Sequence, residues 1–505
     1  MSATTASPPP PVTERTPWLS SLPHIHRLIL RWVFILLVTT MAFHRSLLSL
    51  VDTTRQGGMN SYVWVVLVAA ALAAIGVARR NRTELPIHDR QTDVIVAIMG
   101  LVLALLLHGV LLGRYALYFH LLRLDLLAMW TFVLSACIAL FGLRPVTRFG
   151  WVWLLLLAVF PLPYHLVVIV LGGSHVAAGL GTLLIAATAT AIAVGRHWGR
   201  GVVGASVSLG VGLLTLAALR IGLPSAPLLV YQIVPAITAI CLSSVTLYLL
   251  ARRDKPKRLL DRKIEPLAAA QVWSALPMVL VVGIGLSLIP LPTAGRAPTA
   301  RIDSLRFDRS LTAPPGWHVT DTRDYPWVRR LYGEGAHLLR QQMVADKGDT
   351  RFDKRGAPRA LAVDATVTRR PFALSTFPAR MIYNVSGIRQ SENQLVDLGY
   401  GVTGDLFTAV DDNLLVTWEG MHFSWTTGTI EQRVLVISVD NHDDDAPFPQ
   451  PTGGLLPTLN TMFTVLFRGN TAASDRDPTV KDAVLLTEFS RALVRTQLAP
   501  LGVQP

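Results

Sequence analysis

The sequence predicts a polytopic α-helical membrane bundle of about nine transmembrane helices with a cytoplasmic N-terminus, followed by an exported α+β domain. Three observations predict it. Of 505 residues, 51% are hydrophobic and 16% charged, and the mean hydropathy is +0.44, which excludes a single soluble fold. Apolar runs long enough to cross a bilayer recur up to residue 290, and ordinary globular composition follows from Arg301. Finally, Lys and Arg cluster after alternate apolar runs. The 46 basic against 33 acidic residues give +13 and a pI near 10.2, a balance that raises nucleic acid as a partner. Its location in short loops between apolar runs is that of a membrane protein, so no nucleic-acid partner is expected.

Residues 1–25, with Pro8 to Pro11 among Ser and Thr, read as a disordered cytoplasmic tail, because they bury too little surface to offset ordering entropy. The transmembrane domain then occupies 26–290. Its apolar runs lie near 28–49, 61–78, 94–112, 124–143, 151–171, 175–195, 201–219, 227–251 and 271–289, each near the ~20 residues that span ~30 Å as helix. The first begins with Arg31 and Trp32 and lacks a small-residue cleavage site, so it is expected to stay in the mature chain. Arg79, Arg80, Arg82 and Arg90 follow the second run, Arg144 and Arg148 the fourth, Arg196 and Arg200 the sixth, and seven basic residues from Arg252 to Lys263 the eighth. Even-numbered exits are therefore cytoplasmic, and everything after Pro290 lies outside a bacterial plasma membrane.

The exported domain, 296–505, contains no cysteine, since Cys137 and Cys241 both fall in apolar runs; no disulfide holds it. Alternation puts Leu361, Val363, Ala365 and Val367 on one strand face, and Leu435, Ile437 and Val439 on another. Asp411-Asp412-Asn413 reads as a hairpin turn. Asp477-Pro478 reads as a helix start, with Leu486, Phe489 and Leu493 forming one apolar stripe.

Ionisable residues inside a membrane are costly to hold and point to function. His108, His165, His175 and Arg220 map to the outer ends of their spans, with Arg114, His120, Arg123 and Asp125 in a neighbouring outer loop. Together they form a candidate basic pocket for an anionic envelope polymer, a lipid-linked phosphate or the carboxylate of a sorted surface protein. No carboxylate lies mid-span, which argues against a coupled transporter. No cofactor motif is present: Gly-rich phosphate loops, paired-cysteine sites and Gly-x-Ser-x-Gly elbows are absent. His442-Asp443-Asp444-Asp445 offers metal-type ligands, but adjacent residues rarely converge on one ion, so no metal is expected. Leu291-Pro292-Thr293-Ala294-Gly295 imitates a sorting signal, with Ala294 in place of the usual Thr.

Four segments of the membrane half resemble the exosortase/archaeosortase family: Leu85 to Gln91 before the third span, Leu122-Arg123-Leu124-Asp125-Leu126-Leu127 at the next, Phe160-Pro161-Leu162-Pro163, and Leu219-Arg220-Ile221. The exported part resembles the exopolysaccharide-associated module often fused to exosortases, through Gly316-Trp317, Tyr383, Val396-Asp397-Leu398-Gly399 and the final helix. The resemblance covers most of residues 85–500. It implies a polytopic enzyme of protein sorting or exopolysaccharide assembly whose outward-facing cysteine, arginine and histidine cleave and transfer sorted proteins. The family's nucleophile stands in an Ala-Cys-Ser-Gly segment, where this chain has His175-Val176-Ala177-Ala178-Gly179, so Ala177 occupies the cysteine position. Only the arginine, Arg220, carries over.

The expectation is an exosortase-like protein without thiol catalysis, binding an anionic envelope substrate through Arg220, His175, His165, Arg123 and Asp125. Three alternatives stay open. Ser174 beside His175 could replace the thiol as nucleophile. An integral-membrane glycosyltransferase using a lipid-phosphate donor would need an acidic base, for which Asp52 is the candidate. A structural envelope-assembly partner would need neither.

Overall fold

The structure is a computed structural model that describes residues 24–80, 90–195, 197–252, 275–293, 297–307, 310–383, 388–411, 415–441, 447–453 and 480–503, with isolated positions between 456 and 463. A helical bundle is followed by a β-sheet domain. Six helices are long and apolar enough to cross a membrane, or up to eight spans if each of two bent helix pairs counts as one.

The bundle helices are α1 (His24–Ala42), α2 (His44–Arg55), α3 (Val63–Ala78), α4 (Arg90–Leu106), α5 (Leu124–Phe141), α6 (Gly150–Leu156), α7 (Leu162–Val170), α8 (His175–Val194), α9 (Trp198–Gly222), α10 (Leu228–Arg252) and α11 (Leu276–Leu288). Each apolar run of the sequence falls on helix. Two do not run straight. The chain bends 73° between α1 and α2, because α2 carries His44, Arg45, Asp52 and Arg55 and its polar face cannot stay in hydrocarbon. The 70° bend between the α6 segment and α7 falls at Pro161 and Pro163, which remove backbone donors and block helical continuation. The last run is represented by only 13 described helical residues, Leu276–Leu288. Residues 1–23, Leu85 to Asp89, Arg82, Arg196 and the basic cluster Arg253 to Lys263 lie outside the described residues.

Arginines gather at one end of the bundle and close helix C-termini there. Arg31 Nη1 donates to Leu140 O at 3.1 Å and Arg90 Nη1 to Ala139 O at 2.9 Å, both in the last turn of α5. Arg148 Nη2 donates to Arg80 O at 2.7 Å, and Arg80 to Ile192 O near the end of α8. Cations bonded to terminal carbonyls satisfy orphan acceptors and oppose the helix dipole. The basic residues described after the second and fourth runs thus share one end. The starts of α3, α5 and α8 lie at the other end, and the sheet domain packs there.

That domain is a nine-stranded sheet: β1 (Ala300–Arg301), β2 (Trp317–Asp324), β3 (His337–Ala345), β4 (Ala360–Thr368), β5 (Arg389–Gln390), β6 (Gln394–Asp397), β7 (Thr403–Asp411), β8 (Val416–Thr426) and β9 (Glu431–Val439). The strand order is β2-β3-β4-β9-β8-β7-β5, with β6 on β7 and β1 parallel to β8. Asp411 pairs with Val416 where β7 turns into β8, so the sequence-marked hairpin forms; Asp412 and Asn413 lie outside the described residues. The terminal helix α13 (Ala483–Leu498) follows the short α12 (Pro371–Thr376). Leu486, Phe489 and Leu493 of α13 pack on Leu361, Val363, Ala365 and Val367. The described helix begins after Asp477-Pro478, which lies outside the described residues, as does His442 to Asp445.

The opposite sheet face carries Leu435, Ile437 and Val439. It shares one apolar cluster with Tyr118, Phe119, Leu122, Leu162 and Ile169 of the bundle. The sheet is thus sandwiched between its own helix and the bundle end, as a sheet with two apolar faces requires.

Near the base of α13 the Glu419 carboxylate is almost fully buried and accepts the Lys481 and Asp482 N–H groups at 2.7 and 2.6 Å. Burial pushes its pKa up to about 7; these two bonds oppose the rise and the Asp482 and Asp440 charges add to it. The folded state therefore holds this proton more tightly than the unfolded chain. Its contribution to stability is full below about pH 4.3 and is lost as pH rises through about 7, a change of up to about 3 kcal/mol. Urea unfolding followed by tryptophan fluorescence at pH 5 and pH 8 should show this loss in the wild type and a flatter profile in Glu419→Gln.

Candidate functional site

Two of the sequence-marked histidines, His165 and His175, lie where the bundle and the sheet domain meet. Pro161 and Pro163 turn α7 so that Tyr164 and His165 enter the seam. His165 is fully buried, 5.7 Å from the Phe377 ring of the sheet domain, and neither ring nitrogen has a hydrogen-bond partner among the described residues. A buried polar ring without partners costs ~1–3 kcal/mol or more. Such an arrangement is ready to accept a ligand's polar atoms.

Beside it, Tyr164 stacks on Tyr62 with ring centroids 3.8 Å apart. Its hydroxyl donates to Ala178 O at 2.9 Å and accepts from Gln232 Nε2 at 2.8 Å. Gln232 Nε2 also reaches Met59 O at 2.8 Å, so one buried amide ties α10, α7 and the start of α3 together. His175, the first residue of α8, lies on the Tyr231 ring at 5.4 Å.

Gly172 and Gly173 take φ of +96° and +74° and bring the start of α8 against the short helical turn Arg329–Tyr332 of the sheet domain. A Cβ on Gly173 would stand 2.3 Å from Arg330 O, so only glycine permits this approach. Ser174 is the N-cap: its Oγ accepts the Ala177 N–H at 3.0 Å. That bond gives Ser174 a structural role at the helix start. Ala177 is buried in the cluster that holds Tyr62 and Tyr164, a methyl group where thiol chemistry would need sulfur.

The sheet domain contributes Arg370. Its Nη1 and Nη2 are buried without hydrogen-bond partners among the described residues. Burial pushes the guanidinium down to about 10, with the Glu334 charge acting against that, so it stays cationic at neutral pH. The charges acting on His175 come from Arg370, Glu334 and Arg220. Arg220, in the last turn of α9, is itself exposed. It stands at the rim, and Arg370 stands inside.

Arg123 and Asp125 form a separate, closed unit behind this site. Both are fully buried, joined by Nε–Oδ1 and Nη2–Oδ2 bonds of 3.0 and 2.8 Å, and Arg123 Nη2 also bonds Ser46 O at 3.1 Å. Arg123 adopts φ +43°, unusual for a residue with a Cβ. Expected as ligand-binding groups, these two neutralise each other and brace the loop before α5; among the described residues, Nη1 of Arg123 is left without a hydrogen-bond partner. His108 packs edge-on against Phe43 at 5.4 Å. Asp52 is exposed on α2. Cys137 is buried and Cys241 exposed, both on helices well away from the seam. Among the described residues no group of three or more His, Cys, Asp or Glu could hold a metal ion.

Sequence reasoning missed Arg370, Glu334, Tyr164 and Gln232. Gln232 is the sole amide in the apolar run 227–251 and was detectable as a polar residue within a span. Arg370 gave no signal, since Arg369-Arg370-Pro371 reads as a surface turn. Compared with known proteins, the chain matches no family model, no curated protein and no solved structure.

Proposed function

We propose that this chain is an exosortase-like integral membrane protein of the bacterial envelope, acting in protein sorting or exopolysaccharide assembly. In this reading it binds an anionic envelope component at the seam without thiol catalysis. It crosses the membrane nine times from a cytoplasmic N-terminus, counting the six long helices, the two bent pairs and Leu276–Leu288. The arginine-closed end is then cytoplasmic and the sheet domain outside, as the positive-inside bias requires.

The observation that carries the reading is a seam with two sets of buried polar atoms that have no hydrogen-bond partner among the described residues: both ring nitrogens of His165 on the bundle side, and both Nη atoms of Arg370 on the sheet-domain side. Burying a cation is tolerable only with compensation, and an oxyanion supplies it to both groups. The start of α8 adds N–H groups and the positive end of a helix dipole. Serine chemistry is disfavoured because Ser174 Oγ is engaged as a cap.

The test is thermal unfolding of the full-length chain in detergent, titrated with inorganic phosphate against chloride at constant ionic strength. Phosphate should raise the midpoint in the wild type, by about 2.7 kcal/mol of stabilisation at a hundred times Kd. His165→Phe should weaken phosphate at least ~10-fold, and exposed Arg220→Ala a few-fold, about 1 kcal/mol or less. Ser174→Ala should leave affinity unchanged and cost only the cap, about 0.5–2 kcal/mol. Undiminished binding by His165→Phe would refute the reading.

A further inference from the structure

Resting on the anion-site reading, a second question is what occupies the cationic seam when no ligand is bound. Glu334 is exposed, forms no ion pair among the described residues, and is the acidic group that acts electrostatically on both Arg370 and His175. It sits between Gly333 and Gly335, whose φ values of +95° and +78° are open to glycine and strained for other residues. The turn lies directly on the arginine: a Cβ on Gly333 would fall 2.8 Å from Arg370 Cδ and Nε and 2.9 Å from Cζ. An exposed carboxylate thus sits on a glycine-flanked turn packed against an arginine whose Nη1 and Nη2 have no hydrogen-bond partner among the described residues.

We propose that Glu334 is a tethered competitor for the anion site, contending with the ligand for Arg370, and that this competition selects a phosphate-type dianion over a carboxylate. The selection follows from charge. A tethered carboxylate has a high effective concentration at its site, so a free monocarboxylate replaces it like for like and gains nothing. A phosphate dianion brings two charges, one to match the Arg370 fork and one for Arg220 and the start of α8. The exported domain therefore supplies both the anchoring cation and the group that screens it.

The experiment is a double-mutant cycle on the full-length chain in detergent, reading affinity for inorganic phosphate and for acetate at constant ionic strength. Glu334→Gln should tighten phosphate by about 3–10-fold and make acetate binding measurable. Arg370→Gln should abolish both, and in that background Glu334→Gln should have no effect. Arg370→Lys, which keeps the charge and loses the fork, should bind phosphate weakly and guards against misfolding of the glutamine variant. If Glu334→Gln leaves phosphate affinity unchanged or lower while Arg370→Gln still abolishes it, the competitor is overturned and the anion site stands. If neither the wild type nor Glu334→Gln binds phosphate, both are overturned.

Discussion

Asp364→Ala is expected to destabilise the sheet domain by about 3–5 kcal/mol, because it strands a buried cation. Arg340 and Asp364 face each other across β3 and β4, joined by two 2.6 Å bonds, Nε to Oδ1 and Nη2 to Oδ2. Both side chains are almost fully buried, and the Tyr383 hydroxyl also donates to Asp364. Burial alone would lower the Arg340 pKa; the bonds and charge of Asp364 more than offset this and raise it. Removing the carboxylate leaves the guanidinium with only a long 3.4 Å bond to Gln450 Oε1 and the Tyr383 phenol without the carboxylate it donates to, on the sheet face that meets the bundle. The tryptophan-monitored unfolding midpoint of the full-length chain should fall by roughly 6–20 °C. Replacing both partners by apolar residues, Arg340→Met with Asp364→Leu, should recover much of that loss, since a buried pair contributes little net stability over good packing. A single variant with a near-wild-type midpoint would mean that the pair is solvated.

Gly173→Ala is expected to open the seam. The added methyl would meet Arg330 O, Cα and C at 2.3–2.7 Å, and backbone atoms cannot swing aside as a flexible side chain can. Gly172→Ala is the matched control: it too has positive φ, but no atom lies within 4 Å of its added Cβ. Both variants carry the backbone strain of a Cβ at positive φ, about 1–2 kcal/mol. Gly173→Ala alone must also separate the Arg329–Tyr332 turn from the start of α8. Hydrogen exchange at this turn and at the first residues of α8 should speed up by an order of magnitude or more in Gly173→Ala and little in Gly172→Ala. Phosphate affinity should fall with it. Equal protection in the two variants would show that the seam does not depend on this contact.

Much of the fold was legible because its signals are local. Spanning length, proline breaks and period-two alternation are properties of consecutive residues, and a bilayer permits few structures once an apolar run is long enough. Leu361 to Val367 alternate in the sequence and face α13 as a set; Leu486, Phe489 and Leu493 meet them as the stripe predicts. His165 and His175 stood out because imidazoles at span ends are costly. The bend at Phe43 was less legible, since α2 begins inside an apolar run, where His44 and Arg45 are followed by Leu47, Leu48, Leu50 and Val51 before Asp52 and Arg55.

What the sequence by itself determined is the division into an apolar helical half and a globular α+β half, together with the residue types that could bind an anion. The tertiary structure decided which of those residues share a site. It paired Arg123 with Asp125 in a closed unit, set Arg220 at the rim, made Ser174 a cap, and brought Arg370 and Glu334 close enough to His175 for their charges to act on it. The physical reason is that a charge is defined by its neighbours. Whether a guanidinium is neutralised, solvated or left waiting depends on groups up to hundreds of residues away, and no local pattern encodes that distance.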